Sequence, residues 1–294
     1  MTPTAAEFVL PAIPAPRRRG VVAHVRRHPT IAIGGGLLIA MALMAVLAPY
    51  LGTTDPQALA PARRLHWPSS QAWFGTDMLG RDVWSRTVFG ARVSLTVGIG
   101  VAAASCGVGL AVGLVAGFSR WADAILMRIM DGLMSIPPVL IAIALMALTR
   151  ASLQNVVFAI TVAQVPQIAR LVRGIVLSLR ELPFVEAAVA SGTRPLRLLL
   201  RHILPNTVPS LYVQATFTAA SAMIVEAILS FLGVGTPPNI PSWGNIMAEG
   251  RDFFQIAYYI VLFPGIMLSI TVLAINLCGD GLRDALDPRL SRRM

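Results

Sequence analysis

A polar, arginine-bearing stretch stands between apolar segments of this chain, Glu186 to Pro205, reading EAAVASGTRPLRLLLRHILP. Its chemistry is recognition, not bond-making. Pro183 suits the first turn of a helix, Glu186 sets an acid near that helix's positive end, and Ala187, Ala188 and Ala190 are strong helix formers of little bulk. Gly192 fits a helix stop. Thr193 can cap a second helix with Pro195 in its first turn. Leu196, Leu199, Leu200 and Ile203 then share one face and Arg194, Arg197 and Arg201 another, up to a stop at Pro205. The expected product is a helix–glycine–helix hairpin that offers a smooth alanine surface beside cations. An interfacial helix lying among lipid headgroups would explain the arginine and leucine faces equally well, but the Ala187-Ala188 pair and the acid less well.

Other chemistry is sparse. All 24 basic residues are arginine. A P-loop, a kinase and a Schiff-base enzyme each need a lysine, so any nucleotide energy must come from another polypeptide. Cys106 and Cys278 fall in apolar segments without metal-ligand spacing, and neither a disulfide, a metal nor a cofactor is expected. No catalytic constellation appears, and no catalytic residue is assigned.

The elements that must hold the hairpin are membrane helices. Of 294 residues, 55% are hydrophobic and 13% charged, and the mean hydropathy is +0.70, the composition of an integral membrane protein. The net charge of +10 then belongs to membrane topology, and a nucleic-acid partner is not expected. After a polar, arginine-bearing lead, apolar runs occupy Ile31 to Ala48, Val93 to Gly117, Ile125 to Leu148, Val156 to Val172, Val208 to Val234 and Phe254 to Cys278. The lead is too long, and the first run too long, for a cleaved secretory signal, so an uncleaved first helix is expected. Six glycines from Gly98 to Gly117 offer surfaces for close helix packing, and Pro137-Pro138 predicts a bend. Between the first two runs, Asp77, Arg81, Asp82 and Arg86 can pair with one another across a loop.

The run from Val156 to Val172 is interrupted by Gln164, Pro166, Gln167 and Arg170, yet it decides sidedness. Six spans with the N-terminus inside leave 17 arginines on the inner side and 7 outside; without this run the split is 8 and 16. The positive-inside rule therefore selects six spans, with the hairpin and both termini in the cytoplasm. Within the spans, Arg128 and Asp131 are expected to form a local pair. Glu226, near mid-helix, is expected either to serve the substrate path or gating, as Pro137 and Pro138 would, or to pack against a neighbouring subunit.

Glu186-Ala187-Ala188, a three-residue spacer, Gly192, and then Ile203-Leu204-Pro205 resembles the EAA loop of permease subunits of bacterial ABC importers. GTDMLGRDVWSRTVFGARVSLTVG at Gly75 to Gly98, LSFLGVGTPPNIPSWGNIMAEGR at Leu229 to Arg251 and GDGLRDALDPR at Gly279 to Arg289 resemble the second permease of dipeptide, oligopeptide and nickel importers. The likeness runs from about residue 20 to the end; His202 departs from it where many such loops carry an aliphatic residue. It implies an all-α polytopic fold of six transmembrane helices, the type I importer permease fold, in a bacterial inner membrane. Residues 1–29 would be a cytoplasmic tail, 30–91 a first span with an external loop, 92–280 a five-helix permease core with the coupling loop at 183–206, and 281–294 a second cytoplasmic tail.

The implied partners are a homologous permease in a heterodimer, two ATP-binding subunits, an external substrate-binding protein and the lipid bilayer. Glu186, Ala187, Ala188, Gly192, Arg194, Ile203, Leu204 and Pro205 would couple to the ATPase. The same residues leave room for an ion-coupled secondary transporter with Glu226 as its proton site, or for a membrane scaffold that transports nothing.

Overall fold

The computed structural model describes residues 29–286. The arginine-rich lead before Pro29 and the tail arginines Arg289, Arg292 and Arg293 lie outside them. Among the described residues the architecture is helical, without a β-strand: α1 Pro29–Val46, α2 Val83–Phe118, α3 Arg120–Met134, α4 Pro138–Leu148, α5 Leu153–Arg180, α6 Pro183–Ala190, α7 Pro195–Leu198, α8 Leu204–Phe231, α9 Trp243–Gly250 and α10 Tyr259–Leu286.

The helices α1, α2, α5, α10 and the continuous run from α7 through α8 are each long and apolar enough to cross a bilayer. α3 and α4, which meet at 90°, pass the same test when taken together as one broken span. Pro137 is the cause of the break. As the residue before Pro138 it is excluded from the helical region, and it takes φ −54°, ψ 134°.

Several helices run past the expected apolar boundaries, α5 among them, which reaches Arg180 rather than Val172. α2 starts ten residues before Val93, because Asp82 caps it by accepting from the Ser85 amide at 2.8 Å. Its 36 residues reach about 54 Å against about 30 Å of hydrocarbon, so one end overhangs. α10 likewise runs on past Cys278, through Asp280 and Arg283, to Leu286.

α2 lies at the centre of the bundle. Gly109, Gly113 and Gly117 recur every four residues along one stripe, and a Cβ on them would meet Ile168, Val172 and Val176 of α5 at 2.6 Å. Bare backbone is what lets the two helices touch where apolar lipid offers no hydrophobic drive to hold them together. Next to that seam, Val97 and Val101 of α2, Ala142 and Met146 of α4, Ile160 of α5 and Val225 and Leu229 of α8 form one core cluster.

The end of the bundle opposite the hairpin is closed by the segment between α1 and α2. Arg86, fully buried, donates to Asp77 Oδ2 at 2.6 Å and holds the Glu249 carboxylate of α9 with two bonds of 2.5 and 3.0 Å. Arg81 joins both acids. The expected pairing of Asp77, Arg81 and Arg86 is present, but Asp82 is occupied as the α2 cap and Glu249 takes its place. Tyr259 donates from its hydroxyl to the carbonyls of His66 and Thr76 at 2.9 and 3.0 Å, fixing the segment to α10.

Candidate functional site

The hairpin forms from α6, α7 and the turn between them. Pro183 opens α6 at its first helical position, where its missing N–H is no loss. Glu186 stands in the first turn, favourably placed against the helix dipole. α6 then ends in a Schellman motif: the Thr193 amide bonds the Ala188 carbonyl at 3.1 Å and the Gly192 amide bonds that of Val189 at 2.9 Å. Gly192 takes φ +76°, the left-handed region that favours glycine.

The second helix departs from the sequence reading in three respects. Its N-terminal boundary residue is Arg194, with no side-chain bond, so Thr193 does not cap it. It does not stop at Pro205 either. Leu199–Ile203 widens into a π turn and the chain continues directly into α8. Pro205 lacks the N–H of a normal turn and its ring crowds the preceding carbonyls, and the wider turn absorbs both defects. Finally, the expected leucine face divides: Leu199 is half-buried and Ile203 is 0% exposed, whereas Leu196 and Leu200 are 68% and 51% exposed and Leu198 is buried instead.

The eight candidate coupling residues therefore fall into two groups. Glu186, Ala187, Gly192 and Arg194 are exposed and Ala188 half-buried at the tip, beside the exposed apolar side chains of Phe184, Val189 and Leu196. Ile203 and Leu204 pack with Ile168, Val172 and Val176 of α5, and Pro205 follows them into α8. The tip is presented outward and its root is fixed in the bundle. Sequence reasoning missed Phe184 and Val189, whose apolar side chains gave no reason to expect exposure.

Glu226 lies far from that tip. It is 0% exposed, and its Oε1 accepts from Ser230 and Ser242, both at 2.8 Å, and from Thr236 at 3.4 Å. Ser242 is the N-terminal cap of α9, and Asn245 holds the carbonyls of Thr236, Pro237 and Ile240. In this structure the carboxyl is enclosed within its own chain by the connection from α8 to α9. Pro137 and Pro138, by contrast, are exposed at the α3–α4 break.

The expected pair of Arg128 with Asp131 is not formed. Asp131 accepts instead from Arg170 of α5 at 2.6 Å, an arginine that the packing of α3 against α5 brings alongside it.

A membrane bundle that extends two of its long helices into a protruding helix–glycine–helix hairpin has the fold of an ABC importer permease. In the inward-facing MetNI methionine ABC transporter, a chain 24% identical superposes with a TM-score of 0.57, covering 69% of this chain and 96% of that one. Residues 109–292 match the family described as "Binding-protein-dependent transport system inner membrane component", and the chain belongs to that family. It is 50% identical over 273 residues, 93% of this chain and 94% of the relative, to a probable peptide ABC transporter permease of Sinorhizobium fredii. A dipeptide transport system permease of Alkalihalophilus pseudofirmus is 41% identical over 90% of this chain and 88% of its own length. The protein is thus a multi-pass inner-membrane permease subunit of an ABC importer.

Proposed function

We propose that this subunit forms half of the path by which an ATP-driven importer takes up short peptides, and that α6 and α7 dock on the ATP-hydrolysing partner. The observation that carries the reading is the hairpin tip, where Ala187, Val189, Arg194 and Leu196 stand exposed on a root fixed in the bundle. A tip of small and apolar side chains beside a cation suits a groove on a second protein. The peptide substrate is supported by the names of the relatives that match over nearly the whole chain. A homologous permease would complete the path, a second ATP-binding subunit would serve that permease, and an external binding protein would deliver substrate. Both termini would be cytoplasmic, on the side of the hairpin.

Glu226 enters this reading as the residue that holds α9 against α8 near the path, and Pro137-Pro138 as the pivot of the broken span. In the assembled complex, Val189→Asp is expected to abolish retention of the ATPase subunit on affinity-purified permease. Full retention together with unchanged peptide uptake would overturn the docking assignment. Uptake by this chain alone, without ATP, would favour a secondary transporter instead.

A further inference from the structure

The first half of the broken span, α3, has a place in this mechanism that no motif marks. Asp123, in the first turn of α3, accepts from Arg173 Nε at 2.5 Å and from its Nη2 at 2.7 Å. Asp131, two turns on, accepts from Arg170 of the same α5. The pairing order reverses between the helices, as antiparallel neighbours require. Between the two bridges Met127 and Met130 pack against Val165 and Ala169. A third arginine of α5 closes the corner where α3 begins: Arg180 Nη1 donates to the Gly117 carbonyl at 3.0 Å. Three arginines along the last half of one helix thus grip α3 and its root, and that helix runs into the hairpin after only Glu181 and Leu182.

At its other end α3 meets the 90° break, beyond which Ala142 and Met146 of α4 lie in the core with Val225 and Leu229. These two flank Glu226 in sequence.

We propose that α3 is a second transmission arm of the transport cycle. The bridges Arg173–Asp123 and Arg170–Asp131 make it move with α5, so that displacement of the hairpin reaches α4 through the Pro137-Pro138 pivot as well as reaching α8 directly through Ile203. The four charged residues are positioning residues, acting on the path through α4. Charged pairs suit this task because their geometry is directional, whereas the apolar contact of Met127 and Met130 would let the helices slide. The inference rests on the reading of α6 and α7 as the ATPase-docking hairpin.

The test uses the whole importer, with both permeases, ATPase and binding protein, in proteoliposomes, and reads ATP hydrolysed per peptide taken up. Asp123→Asn and Asp131→Asn are each expected to raise that ratio about fivefold or more, a typical lower bound for coupling between sites, with ATPase retention unchanged. The exchanged pairs, Asp123→Arg with Arg173→Asp and Asp131→Arg with Arg170→Asp, are expected to bring it back to within about twofold of wild type, which a purely structural loss would not predict. The Asp131 pair is exposed on both sides, so its variants are expected to fold even where those of Asp123 do not. An unchanged ratio in well-assembled Asp131→Asn, or a raised ratio that neither exchange restores, would overturn the proposal. Loss of ATPase retention in Val189→Asp with an unchanged ratio in both Asn variants would retain the docking hairpin and remove the second arm; full retention in Val189→Asp would remove the docking reading on which the arm depends.

Discussion

Ser242 Oγ, the cap of α9, donates a 2.8 Å hydrogen bond to Glu226 Oε1 on α8, sixteen residues earlier in the chain. The same oxygen receives Ser230 from the next turn of α8. One carboxylate oxygen thus organises a helix start, a helix end and the connection between them.

Glu226→Ala should therefore lower the stability of the purified complex by about 2–3 kcal/mol, more than Ser242→Ala, since it removes the acceptor shared by the buried hydroxyls of Ser230, Ser242 and Thr236. Thermal unfolding in detergent, followed on both variants, checks the order. Glu226→Gln keeps a carbonyl acceptor and should recover most of the loss. Peptide uptake by that variant equal to wild type would confine Glu226 to a structural role, and impaired uptake at normal stability would give its charge a part in transport.

The α2–α5 seam gives a sharper contrast. Gly113→Val places a side chain where a Cβ would already be 2.6 Å from the Ala169 carbonyl oxygen and from Val172 Cβ, so a loss of about 1–3 kcal/mol or failure to assemble is expected. Gly107→Val, on the same helix with nothing within 4 Å, should be nearly neutral. Equal effects from the two, measured by yield of assembled complex and midpoint of unfolding, would contradict the packing account.

At Gly192 the surroundings are open and only the backbone objects. Gly192→Val should cost about 1–2 kcal/mol at that turn through its left-handed φ, and redirect α7 instead of unfolding the bundle. Its signature should be normal membrane insertion with reduced peptide uptake. Uptake and substrate-stimulated ATPase activity both at wild-type levels would show that the turn angle does not matter.

Breaking the buried ion cluster should be the most damaging single change. Arg86→Met leaves Asp77 inside with one guanidinium fewer, and the expected loss is about 3–5 kcal/mol. Arg251→Met, an exposed partner of Asp252, should cost less than about 1 kcal/mol in the same unfolding assay.

Much of this protein is determined by local sequence. Hydropathy places the spans, the missing lysines exclude an internal P-loop, and Pro183, Ala187, Ala188 and Gly192 suffice to write a helix, its smooth surface and its stop. These features depend on residues a few positions apart, and short-range sterics and solvent preference settle them. Tertiary structure decided the rest. Asp131 prefers Arg170, 39 residues away, to its neighbour Arg128; Glu249 enters a cluster 163 residues from Arg86; and Glu226 turns to the start of another helix. The second helix of the hairpin runs on past Pro205 because a π turn and the packing of Ile203 against α5 make room for a proline that local rules read as a stop. In each case the choice among partners is made by which helices lie side by side. That is a property of the packed bundle, and no single stretch of the chain contains it.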